Sequence, residues 1–174
     1  MQQHQPRISP DYDQDFYAWT QHQAKLLRAL RSADASLPPG VDLDHVAEEI
    51  EDLGKAELRG VTSLIQQILM HLIKAASDPK SQAANHWHSE TIAFSFDLAD
   101  RDARSMRQLI DVQALWQRSL RLAEAQLQEH GASLAKNLPT ECPFSLDEFL
   151  AEGFDFDAAV KRLRSSPAAN STAG

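Results

Sequence analysis

The chain is 174 residues long, with 17 basic and 25 acidic residues and a formal net charge of −8. That length suits one domain with a core that needs no covalent staple, and the single cysteine, Cys142, excludes an intrachain disulfide and fits a reducing compartment. The acidic balance argues against binding nucleic acid through its phosphates, which rests on an excess of Lys and Arg. The segment Val61 to Ala76 is the most apolar, yet Gln66, Gln67, His71 and Lys74 interrupt it. A membrane span of about 20 apolar residues is therefore not expected. Residues 1–7 lack the apolar stretch of a signal peptide, so the expected location is cytoplasmic.

Residues 1–10 read as disordered. Asp11 or Asp13 is placed to cap a first helix that runs to about Ser32, with Tyr12, Phe16, Trp19, Leu26 and Leu30 on one face. The run Pro38-Pro39-Gly40 makes the next segment a loop. Val46, Ile50, Leu53, Val61, Leu64, Ile68 and Leu72 then keep a single phase at about 100° per residue. The phase passes through Gly54 and Gly60, and an isolated glycine costs a helix about 1 kcal/mol without ending it. One long helix from about Asp44 to Ala76 is predicted, the alternative being two helices broken near either glycine. Beyond Val61 the stripe widens to take in Ile65, Leu69 and Ile73, as in a helix buried on more than one side.

Asp78-Pro79 ends that helix. A third is predicted from near Asn85 to Ile110, with Trp87, Thr91, Phe94, Leu98, Ser105 and Leu109 along one face and Ile92, Phe96 and Met106 beside it. A fourth, capped by Asp111, carries Trp116, Leu120, Ala123 and Leu127 and stops at Gly131. After a loop with Pro139 and Pro143, Ser145 to Glu148 forms a capping box that opens a short helix to about Glu152. Another short helix is expected over Asp157–Arg164, and Ser165 to Gly174 reads as a flexible tail. No alternating strand pattern and no internal repeat is visible. The predicted fold is all-α: an antiparallel helical bundle, a single domain over residues 11–164, with one long central helix and short C-terminal helices.

Four motifs in order carry a resemblance. They are the aromatic opening Tyr12 to Trp19, the acidic run Asp42 to Gly54, the segment Leu69-Met70-His71-Leu72-Ile73-Lys74, and the turn Glu141-Cys142-Pro143-Phe144 with Leu146. Together they resemble the bacterial domain-of-unknown-function family 29 over about residues 11–154. The resemblance implies an all-helical bacterial protein and no particular activity. Where members of the family often carry an Arg-rich stretch, this chain reads Ser81 to His88, with two histidines.

The candidate site residues are Glu48, Glu49, Asp52, Glu57 and His71. Carboxylates in a helical bundle build two-metal sites when a Glu-x-x-His turn brings both groups to one ion, and that spacing is missing here. Glu48 and Asp52 share a face, whereas Glu49 and Glu51 point elsewhere, and His71 lies about 33 Å from Glu49 along a continuous helix. Acids in a first turn also stabilise a helix N-terminus without any ion. Glu57 falls near the middle of the apolar stripe and needs a partner if buried; Arg28, Arg31 and Arg59 are available. His86 and His88, two apart, cannot meet one ion from a helix. Cys142 stands beside an acid, the wrong neighbour for a reactive thiolate. Arg101, Arg104 and Arg107, interleaved with Asp97, Asp100 and Asp102, read as a solvated helix face. The common nucleotide, hydrolase and zinc motifs are absent.

No cofactor and no metal is therefore expected, and the chain leans away from enzymes. The leading expectation is a non-catalytic helical interaction or regulatory module that self-associates. A homodimer is the simplest form, through an apolar patch left on the stripe from Val61 to Ile73. The alternatives are a metal-dependent enzyme using the acidic helix and, third, a nucleic-acid-associated protein.

Overall fold

A computed structural model of the chain describes residues 10–33, 37–101, 104–151 and 153–165. Of the expected disordered residues 1–10 only Pro10 is described, and the expected tail over residues 165–174 lies outside the described residues apart from Ser165, which closes the last helix. Among those described there are seven helices and no strand: α1 (Phe16–Ser32), α2 (Leu43–Ser77), α3 (Ala84–Ala99), α4 (Arg104–Arg107), α5 (Val112–Glu129), α6 (Leu146–Leu150) and α7 (Phe156–Ser165). The fold is the expected helical bundle, and α2 continues through both glycines. None of these helices is long and apolar enough to cross a membrane. The chain divides into two compact units, one made of residues 1–60 and 103–109, the other of residues 61–102 and 110–174.

In the first unit α1 and the N-terminal part of α2 form an antiparallel hairpin. Gln21 and Arg28 of α1 both reach Glu51, and Arg31 reaches Asp44. The residues between the helices are mostly small. Thr20 and Ala24 on α1 are buried, and on α2 so are Leu43, Ala47 and Gly54. This corrects the expected stripe, because Val46 and Leu53 are exposed, as are Leu26 and Leu30. Ala and Gly carry little hydrophobicity, so the pattern pointed to the larger neighbours. The close approach of two backbones selects the face where side chains are smallest.

Gly54 makes that approach possible. A Cβ there would lie 2.1 Å from Thr20 Oγ1 and 3.2 Å from Thr20 Cβ, and the Thr20 hydroxyl is already engaged, donating to the Tyr17 carbonyl at 2.8 Å. Gly54→Ala is therefore expected to destabilise the protein by about 1–3 kcal/mol through overpacking, despite a gain of about 1 kcal/mol in helix propensity. Thr20→Ala in the same chain should recover most of the loss. Urea denaturation of the two single variants and the double variant checks this: strictly additive effects would show that the two residues do not meet.

Two helix boundaries differ from expectation. The cap of α1 is Asp15, whose Oδ1 accepts the Ala18 N–H at 2.9 Å; Asp11 only closes a turn on Asp13. The predicted third helix stops at Ala99, and α4 starts afresh at Arg104. Asp15 also accepts from the Ser105 hydroxyl at 2.5 Å and the Ser105 N–H at 3.1 Å. One carboxylate thus serves the start of α1 and, from ninety positions away, the start of α4, where first-turn N–H groups need an acceptor. Burial pushes its pKa up, but the hydrogen bonds from Ser105 and Ala18 outweigh this and hold it below the usual range. Tyr12, Phe16 and Trp19 form a partly exposed aromatic cluster, with ring centroids 4.8–6.0 Å apart. Trp19 belongs to this cluster in the first unit, whereas Trp87 and Trp116 are buried in the second.

In the second unit the core is the C-terminal part of α2. Val61, Ile65, Ile68, Leu69, Leu72 and Ile73 are all buried. The Ser119 hydroxyl of α5 donates to the Gln66 carbonyl, and Trp87 of α3 lies under the Lys74 ammonium of α2. The wide stripe is thus covered by its own chain and leaves no patch there, which removes the basis on which dimerisation was expected. At the end of α5, Gly131 takes φ +73, and the Ala132 N–H turns back to the Leu127 carbonyl at 2.9 Å. The predicted capping box is present at Ser145 and Glu148. Below it Phe149 is buried between Phe144 and Phe154.

Candidate functional site

The acidic candidates do not converge. Glu48, Glu49 and Asp52 are exposed on α2, and Asp52 pairs with Lys55 at 2.9 Å. Glu51 is held by Arg28 and Lys55, whose hydrogen bonds keep its carboxyl below the usual range. Glu57 is half-buried and engaged with a partner rather than sunk in a core. His71 lies in the second unit, whereas the four acids lie in the first. Among the described residues no group of three or more His, Cys, Asp or Glu side chains is placed to hold a metal ion. Cys142 is half-buried, burial pushes its thiol up, away from the thiolate form that a nucleophile needs, and its N–H donates to Gln113 Oε1 at 2.7 Å.

Chemistry gathers instead around the last turns of α2. His71 is buried, with Nε2 3.4 Å from Glu90 Oε2 of α3, and the same carboxylate oxygen is 3.3 Å from His86 Nε2. The His71 Nδ1 is buried and has no hydrogen-bond partner among the described residues. Burial, aided by the nearby Lys74 charge and opposed by Glu90, pushes the His71 pKa down to about 4. The imidazole is therefore neutral at pH 7, a structural rather than a titrating group at that pH. His88 points away, its ring edge-on to Phe156 at 4.9 Å.

One turn on, Lys74 is only 7% exposed. Its Nζ donates to Gln126 Oε1 of α5 at 3.0 Å and sits 5.0 Å from the centre of the Trp87 ring. Burial pulls its pKa down, with Glu90 opposing. A cationic head over an indole face is stabilised by the ring's negative face, which offsets part of the cost of taking an ammonium out of water. Lys74, Trp87, Gln126, Leu127 and Ala132 line a cavity of about 620 Å³ together with Ser81, Gln82 and Ala83; Asp78, Glu129 and His130 complete its wall. That size lies within the range of small-molecule sites.

Sequence reasoning reached His71 but missed Lys74, Trp87 and Gln126 as a group. A signal existed. From Leu69 to Ala76 the helix is apolar on nearly every side, so a lysine in that stretch had to be buried or at a cavity edge.

Fold and site together define an all-α protein with a helical hairpin and, in a second unit, a cavity built on a buried lysine. The chain belongs to the family described as domain of unknown function DUF29, whose profile matches residues 12–155. It is also similar to an alpha-helical protein of unknown function from Rhodospirillum rubrum ATCC 11170, known from a crystal structure. Identity is 39% over 91% of this chain and 99% of that one, with a TM-score of 0.85. No curated protein matches. Neither description names an activity.

Proposed function

We propose that the protein is a non-catalytic interaction module that self-associates through one side of the α1–α2 hairpin. The observation that carries this is the division of the hairpin into two unlike sides. At about 100° per residue, Arg28 and Arg31 with Glu51, Asp44 and Lys55 fall on one side, where their charges close on one another. Leu26 and Leu30 from α1 and Val46 and Leu53 from α2 fall on the other, 49%, 41%, 44% and 56% exposed. Half-buried Trp19 and Ile50 extend that surface.

The occupant best suited to it is a second copy of the same hairpin. The surface is mainly apolar, and Glu57, which shares its phase, is half-buried and already engaged; a two-fold contact requires only that a patch complement itself. Two apolar hairpin sides meeting face to face make a four-helix bundle, a common way of burying such stripes. A bacterial cytoplasmic setting accords with the family resemblance and with the single, half-buried cysteine.

Sedimentation equilibrium at micromolar concentration tests this. A dimer is expected for the wild type, and a monomer of unchanged helicity for Leu53→Glu, since exposed substitutions shift monomer stability by only about 0.5 kcal/mol. A wild-type chain that stays monomeric would reject the proposal, as would a Leu53→Glu chain that still dimerises.

A further inference from the structure

We propose that the Lys74 cavity binds a small zwitterion with an apolar body, of the α-amino-acid class. Three features of the second unit select that chemistry. The first is the charge at depth. An ammonium has three donors, and among the described residues the hydrogen-bond acceptor of Lys74 is Gln126 alone. A buried cation with donors to spare beside an open cavity is completed by a carboxylate, through short charge-assisted hydrogen bonds.

The second feature is the charge at the opening. Asp78 is half-buried and Glu129 exposed, and both line the same cavity. Two carboxylates at the entrance disfavour phosphates and other polyanions and favour a ligand that brings its own ammonium. The third feature lies between the poles, where Trp87, Leu127, Ala83 and Ala132 offer apolar surface. A ligand with a carboxylate at one end, an ammonium near the entrance and an aliphatic or aromatic side chain against Trp87 meets all three.

The test is titration of the full chain with the standard α-amino acids at millimolar concentration, with hexanoate and hexylamine as single-charge controls. The readout is the Trp87 indole NMR signal, with the Trp19 and Trp116 signals as internal references. At least one amino acid is expected to move the Trp87 signal saturably and to bind more tightly than either control. Lys74→Met keeps the buried stem and removes the charge, and is expected to weaken binding by about tenfold or more. Should that variant fail to fold, Ala132→Leu, which fills the cavity and spares Lys74, is expected to block binding instead. Asp78→Asn with Glu129→Gln should narrow the preference over hexanoate by about a few-fold. The proposal is overturned if no amino acid moves the Trp87 signal, if hexanoate binds as tightly as the best amino acid, or if a folded Lys74→Met or Ala132→Leu chain binds like the wild type.

Discussion

Acidification from pH 7 to pH 4 is expected to remove about 3 kcal/mol of stability through His71 alone. The folded-state pKa is about 4, against an ordinary value of 6.5. Between those values the unfolded chain takes up a proton that the folded chain refuses. Stability from this group is therefore present above pH 6.5 and is lost as pH falls through 4, levelling off about one pH unit below the folded pKa. The cause is burial: the ring is almost wholly covered, and among the described residues Nδ1 has no acceptor for the extra proton. His71→Leu removes the titrating group and the unsatisfied nitrogen together, and its stability should vary less with pH over the same window. Urea midpoints for both chains from pH 7 to 4 measure the effect. Parallel curves for wild type and variant would show that His71 carries none of the acid sensitivity.

The largest single-residue effect is expected at Trp116. Its side chain is fully buried in the second unit, and its indole N–H donates to the Pro139 carbonyl at 3.2 Å, tying α5 to the loop that follows it. Trp116→Ala should cost about 3–5 kcal/mol, from lost burial, the cavity left behind and an unpaired carbonyl. Trp19→Ala should cost markedly less, because Trp19 is only half-buried among Tyr12 and Phe16. Chemical denaturation of the two variants side by side gives the comparison. Equal losses at low protein concentration, where the chain is monomeric, would mean that Trp19 is buried within the monomer, whereas a Trp19→Ala loss that grows with protein concentration is the added burial expected from the self-association proposed for the hairpin side.

A sedimentation result and a binding result bear on different units of the chain. The hairpin surface and the Lys74 cavity share no residue, so either proposal can fail while the other stands. The cavity, moreover, asks nothing of the acidic run on α2, in which Asp44, Glu51 and Asp52 pair with neighbouring Lys and Arg side chains.

Sequence by itself determined the helical class, the continuity of α2, and the caps at Asp111 and Ser145, because these depend on periodicity and on contacts three or four residues away. It also located the α2 segment from Val61 to Ile73 as the most heavily buried, since apolar side chains on every side of a helix leave no face for water. Tertiary structure decided the rest, wherever the partner is distant in the chain. Asp15 caps α4 as well as α1, and the long third helix that the pattern predicted ends at Ala99. Thr20 and Gly54 turn the hairpin onto its small residues, so Val46 and Leu53 face water rather than a core. Lys74, Trp87 and Gln126 come from three helices, and no spacing along one helix announces their meeting. A residue's own helical phase is written in its neighbours, but the angle at which two helices pack is set by the shapes of both surfaces. That angle chooses which side chains form a core, which a cavity, and which an exposed side.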